Sequence, residues 1–172
     1  NVSGNSMDIT DLNRKDGFSI LGTLYAYFEG TLHSSLRVPS DVAESILEDS
    51  DTFIVHAATG ELLPHFIEVE VAAEGTGRQL LLLRPMTPML HGERYVVGIR
   101  NIRKSDDSLA LAPAGFATLR DRTPTEDPDL GRQRSHYETN IFPVLETAGM
   151  SRDELQLAWD FSVSSEESTT YE

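Results

Sequence analysis

The sequence predicts a mainly β fold, an antiparallel β-sandwich with a helical connector placed before its last strand. Three observations carry that prediction. Short β-branched and aromatic runs separated by turn residues fill the first hundred positions. After residue 104 the texture switches to polar turns and a helical apolar period. Near the end, "LQLAWDFSV" (155–163) sets Leu155, Leu157, Trp159, Phe161 and Val163 against Gln156, Asp160 and Ser162. That alternation is the pattern of a strand with one buried face.

Taken in order, "LGTLYAYF" (21–28) is aromatic and β-rich, with apolar residues on both faces. "SDVAESILED" (40–49) predicts a short helix, with Ser40 as its cap and Val42, Ile46 and Leu47 on one face. "TFIVHA" (52–57) is a strand closed by the turn "ATGE", where Gly60 supplies positive φ. "HFIEVEVAA" (65–73) and "RQLLLLRP" (78–85), joined by "EGTG", form a hairpin. "RYVVGIRNI" (94–102) is the next strand.

Beyond it, "KSDDS" (104–108) is a polar turn, and "PAGFATLRD" (113–121) is a short helix entered through Pro113. From Asp129 to Ala148 the residues Leu130, Tyr137, Ile141, Leu145 and Ala148 recur at helical spacing, so one amphipathic helix is expected. Pro143 must kink it and Gly149 end it. "SRDE" (151–154) has the form of a capping box. The apolar stripe needs a surface. The sheet carrying Trp159 is the nearest in sequence; the alternatives are a downstream domain or self-association. The organisation that follows is a sandwich over 1–104, a connector packed on it over 105–154, the final strand at 155–163, and a polar linker at 164–172 into a further domain.

Composition narrows the partners. With 28 acidic against 14 basic side chains the formal charge is −14, which repels nucleic acid phosphates and anionic lipid. There is no cysteine, hence no disulfide framework and no thiolate metal site. No apolar run approaches the roughly 18 residues of a membrane span. The opening "NVSGNSMDIT" has neither a starting Met nor a signal-peptide pattern, so the chain reads as the interior of a longer polypeptide. Asn1, in Asn1-Val2-Ser3, is the one glycosylation sequon.

Catalytic signatures are absent: no Gly-x-Ser-x-Gly elbow, no His-Glu-x-x-His and no glycine-rich phosphate or dinucleotide loop. The five histidines, His33, His56, His65, His91 and His136, show no metal-ligand spacing, although His56 and His65 flank one turn closely enough to meet. The acids at 48–51 and the pair Asp106-Asp107 can offer oxygens to calcium but lack the spacing of a dedicated loop. No catalytic, cofactor or metal residue is therefore assigned. The singled-out residues are structural. Asp16 caps a turn, Gly17 permits it and Phe18 packs. Trp159 and Phe161 enter the core. Asp160, on the opposite face of its strand, anchors a loop or a neighbouring backbone amide. A second reading is a calcium- or carbohydrate-binding adhesion domain, motivated by the acidic surface and by Tyr25, Tyr27 and Phe28 as exposed aromatics.

Several segments together resemble a group of large secreted, lipase-like α/β-hydrolase proteins. They are "NVSGNSMDITDLNRKDGFS" (1–19), "ATGELLPHFIEVE" (58–70), "LLRPMTPMLHGERYVVGIRNIR" (82–103), "GFATLRDRTPT" (115–125) and "RSHYETNIFPVLETAGMSRDELQLAWDFSVSS" (134–165), whose Leu-Ala-Trp-Asp-Phe matches a signature of the group. The resemblance implies an immunoglobulin-like sandwich followed by a helical connector. It further implies a non-catalytic region ahead of a hydrolase-like domain, and a secreted, cell-surface or periplasmic setting. The chain stops before any nucleophile elbow, and "FSILGTLYAYF" lacks the Pro-Gly turn of the pattern.

Overall fold

A computed structural model of the chain describes residues 15–32, 42–70, 72–73 and 76–170. Asn1, Ser40 and Val71 lie outside them. Six strands form two three-stranded antiparallel sheets: β1 (Leu24–Tyr27), β2 (Thr52–His56), β3 (His65–Val69), β4 (Leu80–Pro85), β5 (Arg94–Arg100) and β6 (Leu155–Ser162). The first sheet has the order β1-β4-β3 and the second β2-β5-β6. The hairpin expected across 65–85 is β3 and β4, in register from His65 opposite Pro85 to Val69 opposite Leu81. Gly60 ends β2 with φ +76°.

The two sheets share one apolar core. Leu24, Ala26, Ile67, Val69, Leu81 and Leu83 of the first sheet and Ile54, Val97, Ile99 and Phe161 of the second belong to a single buried cluster. In the first sheet the strands alternate, as sheets with one wet face do: Leu24 and Ala26 are buried while Tyr25 and Tyr27 are exposed.

The second sheet does not alternate. All five residues of β2 are buried, as are six of the seven in β5. The reason is a second cluster on its other face, where Phe53, Val55, Val96, Leu155 and Ala158 meet Phe116, Ile141, Phe142, Leu145 and Met150 of the helical region. That region, between β5 and β6, comprises α1 (Ala114–Arg120), α2 (Pro128–His136) and α3 (Phe142–Thr147). The side chain of Asp127 starts α2 by accepting from the N–H groups of Asp129 and Leu130. A π turn at Tyr137–Ile141 joins α2 to α3 immediately before Pro143. Proline has no N–H to give the preceding turn, and the wider turn absorbs the gap. Gly149, at φ +100°, ends α3.

Several expectations are corrected. The helix at 40–49 is a 3-10 turn, Val42–Ile46, whose buried residue is Ser45; Ile46 and Leu47 are exposed, because one turn is too short to bury a stripe. Phe28 is buried rather than exposed. Ser151 makes no capping bond, and Glu154 instead pairs with Arg100. The polar face of β6 is not wet: Gln156 is buried and bonds the N–H of Ile102 and the carbonyls of Ile102 and Ala110. Nor is 164–172 a plain linker, since α4 (Glu166–Thr170) folds back on Lys15 and Asp16.

The apolar stripe of the connector lies on the second sheet, but it does not meet Trp159. Ile141 and Leu145 contact the face carrying Ala158 and Leu155, while Trp159 is only partly buried and points to the inter-sheet side. Truncating Leu145 to Ala should therefore cost about 2–5 kcal/mol. Helical and sheet signals should still fall together in a single thermal transition, read by circular dichroism at two wavelengths.

Candidate functional site

The segments 16–18 and 159–165, more than 140 positions apart in sequence, meet at one edge of the molecule. Phe18 pairs in parallel with Val163. Its N–H donates to the carbonyl of Ser162 at 2.9 Å, and its carbonyl accepts from the N–H of Ser164 at 2.8 Å. The Phe18 ring stands edge-on to Phe161, with centroids 5.8 Å apart, and Phe161 stacks on Tyr95. Asp16 accepts from the N–H of Ser165 at 3.0 Å. Hydrogen bonds from Ser165 and Ser168 hold its carboxyl down at about 2. Asp16 thus caps the turn into α4 across space rather than its own turn.

Gly17 also acts differently from the expectation. Its φ is not in the left-handed region; its role is close approach. A Cβ there would lie 2.5 Å from the Ser164 nitrogen and 2.6 Å from the Val163 carbonyl carbon.

Above this junction a slot of about 260 Å³ opens between the free edges of β1 and β6, lined by Phe18, Thr23, Leu24, Tyr25, Trp159 and Phe161, with Asp160 at its rim. Of the six singled-out residues, Asp16, Gly17, Phe18 and Phe161 make the junction and Trp159 walls the slot. Asp160 belongs elsewhere: it lies on the face of β6 that meets the helices. There its carboxylate accepts from Arg94 at 3.0 Å and from His136 Nε2 at 2.9 Å. It anchors two side chains and not a backbone amide. Asn140 donates to His136 Nδ1, which fixes the imidazole as the Nε2–H tautomer.

This carboxylate–imidazole pair has the parts of an acid–base dyad. The imidazole nitrogen that could act as a base is occupied by Asn140, and the other faces Asp160. A second charged cluster ties the connector together. Arg152 and Arg122 both grip Glu138 and hold its carboxyl at about 2. The Arg152 guanidinium lies 4.0 Å from the centroid of the Phe142 ring.

His56 and His65 do not meet. His56 bonds Thr59 and Glu93, whereas His65 bonds Thr52 and Leu63. Asp106 accepts from Ser108. Among the described residues no group of three His, Cys, Asp or Glu side chains can hold a metal ion, and no helix is long and apolar enough to cross a membrane. Sequence reasoning did not find Arg94, His136 and Asn140 around Asp160. No spacing signal marks them, because Arg94 and His136 lie 66 and 24 positions from Asp160.

Compared with family models, with curated proteins and with solved structures, the chain matches none.

Two outcomes follow from this geometry. Gly17→Val should lower the melting temperature by several degrees, the scale expected of about 1–3 kcal/mol of overpacking in a chain of this size. Asp16 and Glu138 titrate near 2 folded against 3.8 and 4.5 ordinarily. The stability they contribute is therefore complete above pH 4.5 and is lost as pH falls toward 2. An acid titration followed by fluorescence should show the loss in that window, shifted and reduced in Glu138→Gln.

Proposed function

We propose that the chain is a non-catalytic, immunoglobulin-like structural module of a larger secreted, hydrolase-like protein, with a helical insertion before its last strand. The observation that carries this reading is the strand order. Lettered B to G in chain order, the six strands lie side by side as B-E-D in one sheet and C-F-G in the other, as in immunoglobulin sandwiches. Tyr95 adds to it. It sits one residue into β5, the F position, and its hydroxyl accepts from the N–H of Leu90, five residues upstream, at 3.0 Å. This is the geometry of the tyrosine corner found where such domains turn from E into F. Two features of antibody domains are missing: the chain has no cysteine, and β2, the C strand, carries Phe53 and Ile54 with no tryptophan. The apolar core formed by both sheets takes over that part of the core.

The non-catalytic role rests on how the polar groups are used. Asp160, His136 and Arg94 are committed to holding the helical insertion on the second sheet, and Glu138 and Arg152 to holding the insertion together. The hydrolase-like parent rests on the ordered resemblance of five segments and brings the extracytoplasmic setting with it. A binding role has narrower support: Tyr25 and Tyr27 are exposed on the outer face of the first sheet. The purified chain should not hydrolyse a short-chain ester above the buffer rate between pH 5 and 9. Turnover that disappears in His136→Ala or Asp160→Asn would overturn the non-catalytic reading.

A further inference from the structure

The side of the molecule opposite the slot is closed by another device, and His65 is its centre. The residue is wholly buried, in β3 of the first sheet. Its Nδ1–H donates to the carbonyl of Leu63 at 2.8 Å, which leaves Nε2 as an acceptor. The hydroxyl of Thr52, in β2 of the second sheet, donates to that nitrogen at 2.8 Å. The backbone N–H of His65 donates to Ser45 Oγ at 3.0 Å, and the Ser45 hydroxyl donates to the carbonyl of Val42 at 2.6 Å. One residue therefore ties both sheets and the 3-10 turn together, and with Ser45 and Thr52 it lines a cavity of about 350 Å³ shared with Glu44, Asp49 and Asp51.

The arrangement requires a neutral imidazole. A second ring proton makes the Thr52 hydroxyl turn from donor to acceptor and places a charge among buried groups. Every nearby element carries charge, yet none reaches the ring. Glu44 is on the turn, and Glu48, Asp49 and Asp51 are on the approach to β2. Glu61 precedes β3; His56 is engaged with Thr59 and Glu93, and Arg84 pairs with Glu68 across β4 and β3. Arg100 of β5 is held by the carbonyls of Ser50 and Glu48 and by Glu154. Among the described residues the ring bonds Thr52 and Leu63.

We propose that His65 is an acid-released latch: neutral, it clamps the turn and the edges of β2 and β3; protonated, it lets residues 42–69 open while β5 and β6 stay folded. Burial pushes the imidazole below its ordinary 6.5. The opened form takes up its proton first, so the clamp is at full strength above about pH 6.5 and weakens as pH falls.

Hydrogen exchange with mass spectrometry between pH 7.5 and 5, corrected for the intrinsic rate, reads this directly. Opening of 42–69 should rise about tenfold per pH unit below about 6.5, with Leu155–Ser162 unchanged; the Arg100 amide, which donates to the Asp51 carbonyl, opens with the segment. His65→Gln should flatten the dependence and His56→Gln should leave it intact. Opening that is independent of pH, or equally dependent in His65→Gln, overturns the proposal. Should His65→Gln fail to fold, the wild-type exchange profile and an NMR titration of the His65 ring decide. A ring that protonates at 6.5 without any change in exchange also overturns it.

Discussion

The structure depends on one constraint: the second sheet is buried on both faces. Its central strand, β5, is flanked by β2 and β6 and covered by the first sheet on one side and the helical insertion on the other. The helical side closes over position 98, which has no side chain. A Cβ on Gly98 would lie 2.7 Å from Met150 Sδ and 2.9 Å from Leu145 Cδ2. The methionine and the leucine occupy the space a side chain would take, and α3 approaches β5 to that depth. Close packing of this kind means that a methyl group at position 98 must shift the ends of the Met150 and Leu145 side chains.

Burial on both faces leaves polar groups with few partners, and the side chains around the insertion supply them. Gln156 satisfies the N–H of Ile102 and the carbonyls of Ile102 and Ala110. The Tyr137 hydroxyl donates to the carbonyl of Ala158 on the outer edge of β6, and Arg120 donates to that of Leu155. These bonds cap strand backbone that would otherwise be open to pairing with another chain. Two carboxylates fasten the insertion, each shared by two basic side chains: Asp160 by Arg94 and His136, and Glu138 by Arg122 and Arg152.

How much of this was legible in the sequence follows from the range of each interaction. The β3–β4 hairpin, the Gly60 turn and the strand at 155–162 are set by local pattern and were readable. Local pattern also placed Tyr137, Ile141 and Leu145 on one stripe. It could not say which face of which sheet receives them, because Gln156 and Ala158 read as an outward face while lying under the helices. The junction was legible only in part. Asp16, Gly17, Phe18 and Phe161 stood out singly, but Gly17 was read as a turn residue, since nothing local shows the backbone of Ser164 lying against it. The partners of Asp160 and the bond between Thr52 and His65 are long-range side-chain contacts with no signature in one sequence.

The helical insertion is the second wall of the core and not an appendage. Replacing residues 113–150 with a short Gly-Ser linker and measuring the folding of the shortened chain tests it most directly. The account predicts that, with Phe53, Val55, Val96 and Ala158 uncovered, the shortened chain loses its cooperative thermal transition or self-associates. A monomer that melts cooperatively at the temperature of the intact chain would contradict it.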